Sequence, residues 1–304
     1  MGLFLNEQAV VAGPDADGPL VGCVLLNWNG GRDTVACLEA LERCSYRRLE
    51  VVVVDNCSTD DSVEFIRARY PEITLLQAEA NRGFATGNNL GVRWTLARGA
   101  QYVWLLNNDT APAPDALTRM VEMAERDKRI GGVGSVLHYM HQPEAVQAWG
   151  GGRINCWFGY VDHAHEPHPY AWFDYLTAAS MLVRRETLQA VGLLDEAFFL
   201  YWEDAEFGFR VRRGGWKLAV CRESIVLHKE GGSTVRNYAL LDRYYTCAGL
   251  RFLSLHAPMP TLSAVLFAGM RLLRRLLRGE WTRMRAVMRG IGDYRRRSSG
   301  RGAA

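Results

Sequence analysis

A chain of 304 residues with 48 % hydrophobic and 23 % charged side chains has the makeup of a globular protein with a full core, which excludes a disordered or low-complexity chain. It holds no run of 18 uncharged apolar residues, and its N-terminus lacks the basic-then-apolar order of a secretory signal, so neither a transmembrane helix nor a signal peptide is expected. Net charge is +3, but eleven arginines between Arg271 and Arg301 face only Glu280 and Asp293. That stretch carries +9 and leaves −6 on the rest, the pattern of an acidic body with a tail that meets something anionic.

Residues 1–19, with their Gly, Pro and Asp, read as a loose leader. Residues 21–27 (VGCVLLN) predict a buried strand that ends in the polar Trp-Asn-Gly turn. A helix is expected over 33–43. The run at 49–54 (LEVVVV) predicts a strand buried on both faces, as in a parallel sheet. Thr59 suits the N-cap of a helix that runs to Tyr70 and is closed by Pro71. Strands are expected at 73–77, 102–106 and 132–137, and helices at 83–97 and 114–126. This alternation is that of a βαβ sheet. Asn27, Asp55 and Asn107 to Asp109 stand where strands end, and in open α/β sheets ligands bind at those carboxyl ends.

The alternation then loosens. Residues 138–175 are rich in His, Trp, Tyr, Gly and Pro and match no element pattern. Beyond them a strand is expected at 175–183, a helix at 203–213, short strands at 217–220 and 224–227, and two or three helices within 237–295. The seven cysteines are odd in number and never paired as CxxC, which argues for a reducing cytoplasm and against a disulfide framework or zinc knuckle.

Four segments carry chemistry. In LLNNDT (105–110) Asp109 follows a buried strand beside Asn107 and Asn108. An oxygen-ligand cation site and an ordinary capping turn both fit this pattern. In YWEDAEFGFR (201–210) Glu203, Asp204 and Glu206 crowd a helix start. Clustered carboxylates raise one another's pKa, as a general base needs, while acids also favour a helix N-terminus for dipole reasons. His228, followed by Gly231, Gly232, Ser233 and Thr234, has the form of a metal ligand with an anion-holding loop. His163, His165 and His168 form a rival cluster in a proline-containing loop. In NRGFATGNNLGVRW (81–94) glycines and asparagines open a helix behind Arg82, an entry that presents N–H groups to an anion. Its spacing differs from the dinucleotide fingerprint, and no such Gly-rich turn follows the first strand, which speaks against a dehydrogenase or methyltransferase.

Taken in order, these motifs resemble those of family 2 glycosyltransferases with the GT-A fold. They are VLLNWNG (24–30), VVVVDNCSTDDS (51–62), NRGFATGNNLG (81–91), LLNNDT (105–110), TAASMLVRRE (177–186), GLLDEAFFLYWEDAEFGFR (192–210) and His228 with GGS behind it. The set spans about residues 20–235 and is nearest in flavour to bacterial rhamnosyltransferases, with galactofuranosyltransferases close by.

The resemblance implies an α/β fold with a Rossmann-like, mostly parallel sheet and C-terminal helices. A nucleotide-binding half (20–137) would be followed by an acceptor-binding half (138–236) and an Arg-rich helical extension (237–304). It implies an inverting enzyme of cell-surface polysaccharide synthesis that uses a dTDP- or UDP-linked sugar and a glycan or lipid-linked acceptor. Asn27, Asn29, Asp55, Asn56, Arg82, Asn88, Asn107 and Asn108 would line the donor site, with Asp55 on the base edge. Asp109 and His228, with Asn107, would hold Mg2+ or Mn2+. Asp204 would be the base, with Glu203 beside it. Asn107 departs from the family pattern, where the first position of the motif is Asp, and removes one anionic ligand. Trp149, Trp202 and Glu206 are acceptor-side candidates, and the Trp/Tyr-rich stretch 149–175 suits either sugar stacking or core packing.

In residues 262–278 the apolar Leu262, Val265, Leu266, Met270, Leu272, Leu273, Leu276 and Leu277 dominate. Arg271, Arg274, Arg275 and Arg278 fall on one helical stripe, the pattern of an interfacial helix on an anionic membrane surface. Packing on the catalytic domain or a second subunit fits the same pattern. No base-stacking aromatics interleave with the arginines, which argues against nucleic acid.

Overall fold

The computed structural model describes residues 18–169, 172–229 and 238–298. The loop residues Gly231 to Thr234, the leader up to residue 17 and Arg301 lie outside the described residues.

Strands β1 (Val21–Asn27), β2 (Leu49–Asp55), β3 (Thr74–Gln77) and β4 (Tyr102–Asn107) pair in parallel. They are linked by α1 (Gly31–Leu41), α2 (Ser62–Arg69) and α3 (Phe84–Ala97). The all-apolar β2 behaves as its sequence requires. Val51 and Val53 enter the core under α1 and α2, while Val52 and Val54 enter the core under α3. Helix α3 lies close on β1 because Gly91 has no Cβ; one built there would meet Val24 Cγ1 at 2.4 Å.

Past β4, the short β5 (Thr110–Pro112) and α4 (Ala116–Arg126) lead to β6 (Ile130–Tyr139). A hairpin strand, β7 (Gln142–Ala148), pairs with β6. Residues without an element pattern in the sequence supply β8 (Gly151–Asn155) and β9 (Tyr160–His163). With β10 (Tyr175–Leu176) they form a small antiparallel sheet. The strand expected over 175–183 is therefore two strands. The chain leaves the small sheet after β10, turns at Thr177–Ala179 and enters the main sheet as β11 (Ser180–Arg184), antiparallel to both β4 and β6. Helix α5 (Arg185–Val191), not foreseen, follows directly, and α6 (Glu203–Arg213) comes after a loop. The two short strands expected at 217–220 and 224–227 are one, β12 (Lys217–His228). Its register against β6 jumps between Cys221 and Ile225, so Arg222 to Ser224 bulge out.

The helix expected from Thr59 begins at Ser62. Thr59 instead donates its N–H to Asn29 Oδ1 at 2.8 Å, because Asn29 is held in the left-handed region (φ 52°) above the turn.

The main sheet runs β3-β2-β1-β4-β11-β6-β12-β5. Because β6 and β12 run with β1–β4, the carboxyl ends Gln77, Asp55, Asn27, Asn107, Tyr139 and His228 share one edge. The reversed β11 delivers its N-terminal end, Ala178 to Ser180, to that same edge.

Three helices close the described chain: α7 (Tyr238–His256), α8 (Pro260–Leu277) and α9 (Trp281–Ser298). They correct the expected basic stripe. Arg271 and Arg275 turn inward and donate to Asp242 Oδ1 of α7 at 2.7 and 2.9 Å, and Arg283 of α9 reaches Asp242 Oδ2 at 2.6 Å. Asp242 is 4 % exposed, and a buried carboxylate without cationic partners costs several kcal/mol, so it draws the arginines in. Arg274 and Arg278 stay outside. The apolar Leu262, Val265, Met270, Leu273, Leu276 and Leu277 consequently face outward. No helix among the described residues is long and apolar enough to cross a membrane.

Candidate active site

The edge of the parallel strands is a closed hydrogen-bond network. Buried Asn27 donates Nδ2 to Asp55 Oδ1 (2.7 Å) and Ser58 Oγ (3.1 Å), and accepts from Thr34 Oγ1 (2.8 Å). Asp55 Oδ1 also takes the Ser58 hydroxyl (2.6 Å), and Oδ2 takes the Ser58 N–H (3.0 Å), which leaves Oδ2 further lone-pair capacity. Asn108 Nδ2 donates to Thr34 Oγ1 at 2.9 Å. Asn29 accepts at Oδ1 from the Thr59 N–H and donates its own N–H to Ser58 Oγ (2.9 Å). Asn56 donates to Asn81 Oδ1 (3.1 Å) and the Gly83 carbonyl (3.2 Å), and its Oδ1 is buried without a partner.

Of the expected donor residues, Asn27, Asn29, Asp55 and Asn56 are thus joined around β1 and β2, and Asn107 and Asn108 close the edge at β4. Asn88 is different: it is buried and donates to the Phe84 carbonyl one turn back in α3 (2.9 Å). Its neighbour Asn89, which the sequence reading passed over, is the bridging residue. It exchanges two hydrogen bonds with Leu194 (2.8 and 3.2 Å) and a third with Glu196 Oε1 (3.0 Å), so it ties α3 to the loop before α6. Arg82 is exposed and lines a crevice with Glu196, Phe199 and Arg243. Gly83 (φ 97°) lets the backbone cross Phe199, whose carbonyl oxygen would lie 2.2 Å from a Cβ there.

Asp109 and His228 meet, with Asp109 Oδ1 3.3 Å from His228 Nε2. The meeting follows from pairing: Thr110 of β5 sits opposite His228 of β12, and the Lys229 N–H bonds to the Asp109 carbonyl (3.0 Å). Gln147 Oε1 lies 2.7 Å from His228 Nδ1, and the tautomer that donates Nδ1–H to it has its Nε2 lone pair on the Asp109 side. Asn107 Nδ2 lies 3.5 Å from the same Nε2. A carboxylate and an imidazole facing each other suit a divalent cation, to which Asn107 would add a ligand only through its Oδ1. Among the described residues no group of three His, Cys, Asp or Glu converges. The rival histidines do not converge either: His163 Nδ1 is bound by the Tyr175 hydroxyl (2.7 Å), and His168 stacks on Trp172.

The carboxylates of α6 are presented by a strained turn, with Tyr201 and Trp202 both at φ 70°. Asp204 Oδ1 accepts the Ala205 N–H (2.7 Å), and Oδ2 accepts the Ala178 N–H (3.4 Å). The next residue, Ala179, accepts the Asn107 N–H at its carbonyl (3.0 Å). One dipeptide therefore joins Asp204 to the Asn107–Asp109 edge.

Glu203 is buried, and its Oε2 has no partner among the described residues. Burial, then the charge of Asp204, pushes Glu203 well above the usual carboxylate range. Burial also raises Asp204, against the pull of its backbone N–H donors. Those donors favour the charged form of Asp204 over that of Glu203. Tyr175 is held up by burial and by Asp204. Tyr245 is pushed up to about 12 by the same two causes, against Arg271.

The structure sets the three acceptor-side candidates inward. Glu206 is buried, paired with Arg210 (2.8 Å) and 3.5 Å from His256, and hydrogen bonds from these neighbours and the charge of Arg210 outweigh burial and lower its pKa. Trp202 packs among Tyr245, Phe252 and Phe267, with Nε1 unpartnered. Trp149 packs half-buried on the core of the α3 face.

The model of the family Glycosyltransferase like family 2 matches residues 19–243. The chain belongs to this family. An N-acetylglucosaminyl-diphospho-decaprenol L-rhamnosyltransferase of Mycobacterium tuberculosis is 27 % identical over 71 % of this glycosyltransferase and 78 % of its own length. Galactofuranosyltransferase GlfT1 of Mycolicibacterium smegmatis is 24 % identical over 69 % and 72 %. Among solved structures, GalNAc-T7 with UDP, GalNAc and Mn2+ superposes with a TM-score of 0.67 at 14 % identity, over 85 % of this chain and about half (51 %) of that one. The Pyrobaculum calidifontis mannosyltransferase PcManGT, in complex with GDP-Man and Mn2+, superposes with a TM-score of 0.60 at 17 % identity, over 96 % and 91 %. The expected GT-A type fold is the fold these neighbours share.

Proposed function

We propose that this glycosyltransferase moves L-rhamnose from dTDP-rhamnose, with inversion, onto a lipid-linked acceptor in cell-surface polysaccharide synthesis. The observation that carries the reading is the Ala178–Ala179 dipeptide, which bonds the carboxylate of Asp204 with one residue and the cation-suited edge of Asn107 with the next. A proton acceptor and a diphosphate end are thereby within one substrate's reach. The choice of sugar rests on the mycobacterial rhamnosyltransferase relative. Galactofuranose from a UDP donor is the second reading, favoured by the galactofuranosyltransferase relative.

Asp55 Oδ2 accepts from the N3–H of the donor's pyrimidine, a contact common to thymine and uracil. Asp204 takes the proton of the acceptor hydroxyl. That oxygen bonds to the anomeric carbon from the face opposite the diphosphate, and the bond from the sugar to the diphosphate breaks. Asp109 and His228, with Asn107 beside them, would hold Mg2+ or Mn2+, which supplies positive charge to the departing diphosphate. The outward apolar face of α8, with Arg274 and Arg278 exposed beside it, is the surface we assign to an anionic membrane.

A donor panel tests the reading. Nucleotide release should be fastest from dTDP-rhamnose, slower from UDP-galactofuranose and other UDP-hexoses, abolished by EDTA and restored by Mn2+ or Mg2+. Release from none of them overturns the assignment, and full activity in excess EDTA overturns the cation. Separately, the full chain should pellet with anionic vesicles. Leu273→Asp with Leu277→Asp should stay in the supernatant, and equal pelleting would remove the membrane assignment.

A further inference from the structure

Beside the Tyr201–Trp202 turn an open crevice of about 760 Å³ runs between the segment 196–200, α7 and the end of α9. Arg82, Arg243, Arg251, Arg296 and Arg297 line it, against the carboxylates of Glu196 and Asp293. Those two acids are already committed. Asp293 receives both Arg243 and Arg296 at 2.5 Å, and Glu196 receives Arg93 at 2.6 Å, from outside the lining. Arg251 is matched by Asp195 at 2.7 Å. Arg82 on one wall and Arg297 on the other have no ion pair among the described residues, and Arg297 only donates to the Ala197 carbonyl at 3.3 Å. Phe199 and Tyr244 also line the crevice, with their ring centroids 4.8 Å apart.

Two unneutralised guanidinium groups suit a doubly charged oxyanion, and an aromatic floor suits an apolar chain attached to it. The volume is far larger than a phosphate needs, since a whole small-molecule site occupies about 300–1,000 Å³. Phe199 and Leu200 lead directly into the turn that presents Asp204, so an anion held here lies next to the base along the chain.

We propose that this crevice binds the diphosphate and first isoprenoid units of a lipid-linked acceptor. The assignment rests on the glycosyl-transfer reading for its meaning, but binding is measured without transfer.

The probe is farnesyl diphosphate, titrated calorimetrically into the full chain with and without saturating UDP and Mn2+. It should bind in both conditions, and farnesol should bind far more weakly. Arg297→Gln and Arg82→Gln, from opposite walls, should each weaken binding about 10- to 100-fold, the worth of a charge-assisted hydrogen bond. Arg297→Lys should keep most of it, and Arg297→Gln should leave UDP affinity and melting temperature unchanged. Displacement of the probe by UDP would place it in the donor site and overturn the proposal, as would unchanged affinity in both glutamine variants. Failure of the transfer reading would appear elsewhere, as absence of nucleotide release from every donor.

Discussion

The two sides of the candidate site are built on opposite principles. At the edge proposed for the donor Asn27, Thr34, Asp55, Ser58 and Asn108 bond to one another around the ends of parallel strands, with the φ of 52° at Asn29 and the unpartnered Asn56 Oδ1 as exceptions among the described residues. At the side proposed for the acceptor two consecutive non-glycine residues sit at φ 70°, Trp202 Nε1 and Glu203 Oε2 are buried without partners among the described residues, and three carboxyls share one helix start. Satisfied polar groups make a rigid, preorganised surface. Strain and unsatisfied groups persist only where surrounding packing holds them, and here α7 and α8 supply that packing through Tyr245, Phe252 and Phe267. The donor half is thus held by its own hydrogen bonds, and the acceptor half by what presses on it.

Substitutions on each side should break that contrast in different currencies. Asp204→Asn should lower turnover by about 10²- to 10⁴-fold, the usual worth of a general base, while nucleotide affinity and melting temperature hold. Wild-type turnover in this variant would shift the assignment to Glu203. Because burial raises Asp204, the acid limb of kcat/KM should lie above the ordinary aspartate value of about 3.9. A limb at or below that value would contradict its burial.

At the donor edge, Asn27→Ala removes donors from a buried carboxylate. Stability to urea should fall by about 1–3 kcal/mol, the cost of a stranded buried polar partner. An unchanged midpoint would mean that the network is ornamental.

The smallest effect on rate is expected from Glu203→Gln, which replaces a protonated acid by a neutral amide. Turnover should drop by no more than about fivefold, the scale of one neutral hydrogen bond. Its stability profile should differ more. With the folded pKa raised, the native state holds a proton that the unfolded chain has released, so wild-type stability falls as pH rises above the ordinary glutamate value of about 4.3. The variant should lack that decline, and parallel stability curves would show that Glu203 is not held protonated.

The parallel half was legible in the sequence because β2 announces burial on both faces and each strand stops at a polar residue. The fold of 138–175 was not, since β8, β9 and β10 are two to five residues long and partly exposed, too short for alternation to register. The α8 stripe was read with the correct period, but two of its four arginines, Arg271 and Arg275, turn inward while Arg274 and Arg278 stay exposed. Periodicity finds two faces of a helix, but only Asp242, a helix away in α7, decides which turns inward. Asn89 escaped notice beside Asn88 because a helix gives adjacent asparagines different neighbours, and its partner Leu194 is 105 residues away. Asp109 and His228 could be paired only through the family resemblance, for the β5–β12 pairing that joins them leaves no local mark.

That pairing also dictates an order of events during synthesis. Asn107 and His228 are 121 residues apart, and β12 is the last strand of the main sheet to be made. Until it leaves the ribosome, β6 has an open edge and Asp109 faces no imidazole. The nascent chain can therefore complete β1 to β4 early, while the contact between Asp109 and His228 waits until the sheet closes.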